Sequence, residues 1–175
     1  MNTIYLDMDG VVADFRQRFH DTVADPKTGK PLYPDQYRAL YGIDAFWKEI
    51  NGQGIKFWEG IPFTPNGKKL WREVKTLSKV HGYKLEMLTA PSLEESSRMG
   101  KERWVTKNLL PNPKINFKFS KRKQELAKPG DILIDDRLDN IQRWESAGGV
   151  GIHHPENSSD ITGVLRELEL AVNPG

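Results

Sequence analysis

Thr3–Phe15 reads TIYLDMDGVVADF. A short, mostly apolar run, Thr3–Leu6, ends on an acid, Asp7; a second acid, Asp9, follows two residues later, and Gly10 comes next. An apolar run of this length bounded by turn residues predicts a buried strand feeding a loop. Far downstream the same device recurs: ILIDDR, Ile132–Arg137, closes an apolar run on the paired acids Asp135 and Asp136. Between and after these two stretches, strand and helix patterns alternate from Tyr83 onward. That alternation predicts an α/β fold with a central parallel sheet and helices on both faces, a three-layer Rossmann-like arrangement.

Working outward, the pattern suits a helix from about Ala13 to Ala24. Asp25–Pro34 (DPKTGKPLYP) is dense in Pro, Gly and Lys and reads as loop. Short helices are expected over Asp35–Tyr41 and Ala45–Ile50, then an irregular stretch over Asn51–Pro62. Thr64 is placed to cap a helix with Pro65 at its first position, and Leu70, Trp71, Val74, Leu77 and Val80 recur at helical spacing before Gly82. Tyr83–Thr89 reads as a strand. Ser92 and Glu95 have capping-box spacing for a helix running to about Leu110. Strands over Lys114–Phe119, Asp131–Ile134 and Val150–His153 follow, with a helical turn over Gln124–Ala127 and helices over Asp139–Ala147 and Asp160–Ala171. Residues 16–63 interrupt the alternation after the first strand and form a small, mainly helical insertion. The core is then 1–15 and 64–175.

Polar residues follow four of the expected strands: Asp7 and Asp9, Thr89, the Ser120–Lys123 segment, and Asp135 with Asp136. Ligands of doubly wound sheets bind beyond the carboxyl ends of the strands, so these groups can converge. A carboxylate there can attack phosphorus and hold it as an acyl phosphate. Asp9 is placed to give a proton to the leaving group and later to take one from water. Asp7 and Asp135 suit Mg²⁺, a hard ion that uses one or two protein carboxylates. Thr89 and a lysine near 121–123 can bind phosphoryl oxygens, and Gly10 lets the backbone pass close to substrate. Each feature alone has a plain structural explanation. Asp-x-Asp-Gly can be an Asx turn, Asp135–Asp136 can cap a helix, and a lysine is usually solvated. Two acidic clusters converging on one sheet edge are costly without a cation, and the combination points to catalysis.

Composition narrows the field. The chain has 175 residues, a length that favours one domain with an insertion. There are no cysteines, which excludes disulfides, thiolate catalysis and cysteine zinc sites. The formal charge of +2 gives no strong nucleic-acid signal. No run approaches the roughly 20 apolar residues of a membrane span, and no secretory signal is visible, so a cytoplasmic protein is expected. The Lys/Arg-rich run Lys114–Lys128 is a solvated face or a positive rim for an anionic substrate. A homodimer is left open.

These residues resemble the haloacid dehalogenase (HAD) superfamily of phosphohydrolases. YLDMDGVVADF matches its first motif, MLTAPS its second, and ILIDDR its fourth, in the right order over nearly the whole chain. Within the superfamily the chain is similar to the 5′(3′)-deoxyribonucleotidase group, through DMDGVVADF, the insertion directly after it, FWEGIPFTPNG, the T-x-P form of the second motif and IDDR. The resemblance implies a HAD-like core under a small helical cap, and Mg²⁺-dependent hydrolysis of (deoxy)ribonucleoside monophosphates to nucleoside and phosphate. It implies Asp7 as nucleophile, Asp9 as acid/base, Thr89 for phosphate, Lys123 (from KQELAKPGD, with Lys121 the alternative) as the third-motif lysine, and metal binding by Asp7, Asp135 and the Asp9 carbonyl with Asp136 just behind. Phe46, Trp47, Phe57 and Trp58 become candidate base-pocket residues or, equally, packing between cap and core. Ala90 stands where the group usually has a small hydroxyl residue, leaving Ser92 as the alternative donor. Arg137 is placed to brace the site or touch phosphate. His153 and His154 read as structural.

Three other functions fit parts of the pattern. A HAD phosphatase could act on a nucleic-acid end, a sugar phosphate or a phosphoprotein. A receiver-like phosphoacceptor domain uses similar groups, but places its acidic pair early and its phosphorylated Asp in the middle. A non-catalytic nucleotide-binding descendant is opposed by the intact Asp7, Asp9, Thr89 and Asp135.

Overall fold

The computed structural model describes all 175 residues, Met1–Gly175. Its centre is a five-stranded, wholly parallel sheet of β1 (Thr3–Leu6), β2 (Lys84–Thr89), β3 (Lys114–Phe117), β4 (Ile132–Asp135) and β5 (Val150–His153), in the order β3-β2-β1-β4-β5. β1 is central, and the chain reverses its direction of travel between β1 and β4. Their carboxyl ends therefore flank the crevice in which such sheets bind ligands. The α/β class and the parallel sheet expected from the sequence are both present.

The strands sort their side chains with a period of two. Ile4, Leu6, Met87, Ile132 and Ile134 face one core of 28 buried residues. Tyr5, Leu88 and Leu133 face a smaller one, closed by Ile141 and Trp144. Helix α7 (Leu138–Ser146) covers that second face, with a single 3-10 turn at Lys123–Leu126 beside it. The larger face carries α5 (Gly67–Val80), α6 (Glu95–Asn108) and α8 (Thr162–Val172). Each fully buried Leu, Ile or Phe contributes about 1.5–3 kcal/mol. No helix is long and apolar enough to cross a membrane.

Between β1 and α5 lie α1 (Phe15–Thr22), α2 (Pro34–Tyr41), α3 (Ile43–Gln53) and α4 (Ile55–Glu59). The chain leaves and returns side by side: Asp14 N–H donates to the Pro62 carbonyl (2.8 Å) and Thr64 N–H to Val12 (2.9 Å). Phe19, Tyr37, Phe46, Ile50, Phe57 and Trp58 from this insert belong to the same core as the sheet residues.

Three local expectations need correcting. Asn51–Pro62 is not irregular throughout, because Gly54 and Gly60 delimit the short helix α4 rather than abolish it. Thr64 does not cap α5. Its hydroxyl donates to the Val11 carbonyl (2.7 Å), and the helix begins at Gly67. Ser92 and Glu95 form no capping box; Ser92 N–H donates instead to Ser97 Oγ (3.0 Å).

Gly100 sets how closely α6 approaches α4. A Cβ at this position would overlap that of Trp58 and lie 3.0 Å from the Ile55 carbonyl. Gly100→Ala should therefore destabilise the protein by about 1–3 kcal/mol through overpacking, despite the better helix propensity of Ala. Urea denaturation checks this; an unchanged midpoint would show that α4 shifts freely.

Candidate active site

β1 delivers Asp7 to the sheet edge, and the backbone then turns tightly: Val11, Val12 and Ala13 N–H all donate to the Met8 carbonyl at 2.9–3.3 Å. Gly10 has φ +80°, a left-handed conformation that favours glycine, and a Cβ there would collide with the Asp136 carboxylate. The turn brings Asp7 and Asp9 to one end of the crevice. β4 delivers Asp135 and Asp136 alongside.

Carboxylate oxygens of Asp7, Asp135 and Asp136 all lie within 4.8 Å of one another. Lys123, only 3% exposed in its side chain, stands between two of them, with Nζ 2.8 Å from Asp7 Oδ1 and 2.7 Å from Asp135 Oδ2. The 3-10 turn carries it inward, whereas Lys121 stays on the exposed loop at φ +73°. Burial, then the Asp135 charge, push Asp7 up to about 6, against the pull of Lys123. Burial and the Asp7 charge push Asp136 well above the usual carboxylate range. Desolvation by itself would lower Lys123, but the two carboxylates outweigh it and hold the ammonium charged. This buried set of hard oxygen donors fits a divalent cation such as Mg²⁺, whose charge would offset the mutual repulsion.

The two acids of the pair have different surroundings. Asp135 is fully buried, with Oδ2 accepting from Lys123 and Asn140 (3.1 Å) and Oδ1 from the Arg137 N–H (2.9 Å). Asp136 lines the cavity. A side chain facing inward from a strand's last residue points into the protein; the next one turns outward with the loop. Asp136 thus reaches the cavity, while Asp135 is held beside Lys123 and Asn140; both keep a carboxylate oxygen in the acidic cluster.

A cavity of about 310 Å³ opens above this cluster. Its walls include Asp9, Phe15, Trp47, Trp58, Ala90 and Ser92. Phe46 and Phe57 do not reach it. They are buried in an aromatic cluster with Phe15 and Phe19, so of the four candidate base-pocket aromatics only Trp47 and Trp58 meet the cavity. Arg137 also lines it, with its guanidinium turned to Asp139 (3.2 Å). Ser92 Oγ is buried there without a hydrogen-bond partner. His153 Nε2 meets the Asp136 carbonyl at 3.0 Å, and His154 is fully buried.

The sequence reading missed Lys101. Its side chain is 1% exposed, and its ammonium donates all three protons: to Asp9 Oδ2 (2.7 Å), Thr89 Oγ1 (2.9 Å) and the Ala90 carbonyl (2.8 Å). The ammonium also lies 5.2 Å from the centre of the Trp58 ring. Thr89, 1% exposed, is thereby tied to the same ammonium as Asp9. Asp9 Oδ1, the oxygen Lys101 leaves free, is buried and unpartnered.

This order of motifs on this sheet has a counterpart among known proteins. The model of a family described as 5′ nucleotidase, deoxy (pyrimidine), cytosolic type C protein (NT5C) matches residues 1–169. The chain belongs to the NT5C family. It is a HAD-type phosphatase, a hydrolase of phosphoric monoesters. No curated protein matches it significantly. Among the solved structures that share the fold are the following two. A hydrolase from Streptococcus pneumoniae TIGR4 is 12% identical, with TM-score 0.53 over 96% of this chain and 98% of that one. A HAD family enzyme from Bacteroides thetaiotaomicron, solved as a magnesium complex, is 16% identical, with TM-score 0.50 over 95% and 98%. This NT5C member thus shares its fold with proteins of low sequence identity.

Proposed function

We propose that this NT5C-family chain is a magnesium-dependent, cytoplasmic nucleotidase that hydrolyses (deoxy)ribonucleoside monophosphates through an aspartyl-phosphate on Asp7. The observation that carries this reading is the placement of two carboxylates with different partners. Asp7 is tied to Lys123 beside Asp135 and Asp136, and Asp9 is clasped by Lys101 with one oxygen free. Residues 16–63 would act as a cap whose Trp47 and Trp58, with Phe15 at its root, stack on a base.

In the first step an Asp7 oxygen bonds to phosphorus, the bond to the leaving oxygen breaks, and Asp9 gives that oxygen a proton. In the second, Asp9 takes a proton from water, the water oxygen bonds to phosphorus, and the Asp7–phosphorus bond breaks, releasing phosphate. Asp7, Asp136 and the Asp9 carbonyl would hold Mg²⁺, with Asp135 and Asn140 bracing from behind. Bound there, the ion supplies the positive charge that lets an anionic carboxylate approach an anionic phosphate. Thr89 and Ser92 are the hydroxyls at hand for the phosphoryl oxygens, and Lys123 keeps Asp7 oriented.

The reading is tested by phosphate release from a panel of deoxy- and ribonucleoside monophosphates with Mg²⁺ and with a chelator. Release from nucleotides that falls at least 100-fold under chelation is expected, a loss in line with removing a group that stabilises transition-state charge (roughly 10²–10³). Cleavage of an aryl phosphate while all nucleotides stay inert would sink the substrate assignment.

A further inference from the structure

Four cations line the cavity: Arg16, Arg38, Lys101 and Arg137. Three are matched by acids, Arg16 by Asp35 (2.7 Å), Lys101 by Asp9 (2.7 Å) and Arg137 by Asp139 (3.2 Å). Arg38 has neither an acidic partner nor a side-chain hydrogen bond. Its guanidinium sits over the Phe46 ring, 5.0 Å from the centroid. Stacking of this kind fixes the guanidinium plane and leaves its N–H edge free for an oxyanion.

Arg38 comes from α2, in the insert, whereas Asp7, Lys123 and Lys101 come from the core. The reacting phosphate must meet Asp7, on the core side. An anion held by Arg38 is therefore a different group, on the leaving-group side. The same cavity is walled by Phe15, Trp47 and Trp58, and its volume of about 310 Å³ suits a ligand of nucleotide size. Arg16 joins Arg38 on this rim, its guanidinium 4.4 Å from the Tyr33 ring centroid.

We propose that Arg38, with Arg16 beside it, forms a second anion site that selects nucleotides carrying a further phosphate on the sugar, as in a nucleoside 3′,5′-bisphosphate. The proposal rests on the nucleotidase reading above and deepens it. The second phosphate could belong to a free bisphosphate or to the diester of a short 5′-phosphorylated oligonucleotide; the chemistry at Arg38 is the same.

The test compares kcat/KM for a deoxynucleoside 3′,5′-bisphosphate, the matching 5′- and 3′-monophosphates and a 5′-phosphorylated dinucleotide, on the wild type, Arg38→Gln and Arg16→Gln. The bisphosphate should exceed the better monophosphate by about tenfold, as one charge-assisted contact provides. That ratio should shrink with added salt and fall to within about twofold of unity in Arg38→Gln, with a smaller fall in Arg16→Gln. If the dinucleotide shares the preference, the source is a nucleic-acid end; if it does not, the source is a free bisphosphate. A ratio near one in the wild type, or one that Arg38→Gln leaves intact, overturns the second site while the nucleotidase reading stands. Inert nucleotides beside a cleaved aryl phosphate overturn both.

Discussion

Asp7→Asn should abolish turnover, lowering kcat by roughly 10⁴-fold or more, as removal of a covalent nucleophile does. The amide is nearly the size of the carboxylate but lacks its nucleophilic lone-pair charge, so an acyl phosphate cannot form. The variant should remain folded. Asp7 is held up to about 6 by burial and by the Asp135 charge. Its folded value lies above the ordinary carboxylate value, so ionised Asp7 weakens the fold at pH above about 6, and a neutral amide removes that repulsion. Lys123 keeps its contact with Asp135 at 2.7 Å. Acid-quenched enzyme incubated with labelled substrate should carry phosphate in the wild type and none in the variant, with matching circular dichroism spectra. Residual activity within tenfold of wild type would mean that another atom attacks phosphorus.

Lys101→Met should lower kcat for alkyl phosphoesters by about 10²-fold, the usual weight of one acid/base function. Met fills much of the same space but cannot fix Asp9 Oδ2 or occupy Thr89 Oγ1 and the Ala90 carbonyl, all of which the ammonium now reaches within 2.9 Å. Asp9, 31% exposed in its side chain, would then sample orientations that miss the leaving oxygen. The leaving group separates this positioning role from a merely structural one. A nitrophenolate departs without a proton, so the nitrophenol burst should fall less than tenfold while alkyl esters lose the full factor. Lys101→Arg should restore part of the rate through its Asp9 contact. Equal losses on both substrate types would show that Lys101 only holds the fold together.

Much of this was legible in the chain because strand period and acid placement reinforce each other. Ile4 and Leu6 alternate with Tyr5, and the run ends where Asp7 must emerge. Ile132–Asp135 does the same. Only the resemblance of KQELAKPGD to the family's lysine-opened short helix favours Lys123 over Lys121 in the sequence, and Lys123 does open the 3-10 turn. Lys101 escaped notice as one lysine in a strongly charged helix. Its signal was positional: Ser97, Lys101, Trp104 and Val105 form one helical stripe, all buried, and a lysine on such a stripe requires partners. The order of Asp135 and Asp136 depends on where the strand stops, a matter of one residue, which composition does not fix. Phe46 and Phe57 were indistinguishable from Trp47 and Trp58 because neighbouring aromatics on a helix point different ways: Phe46, Phe57 and Trp58 all pack in the core, and only Trp47 and Trp58 border the cavity.

The insert and the sheet share a single core, in which Phe19, Phe46, Phe57 and Trp58 lie in one cluster with Leu6 and Met87. The segment that shapes the pocket is therefore no interchangeable cassette. Grafting a relative's insert would leave unfilled volume at each mismatched large side chain, at about 2–5 kcal/mol apiece. Pocket shape and stability are coupled in this architecture, since Trp58 both borders the cavity and belongs to the core.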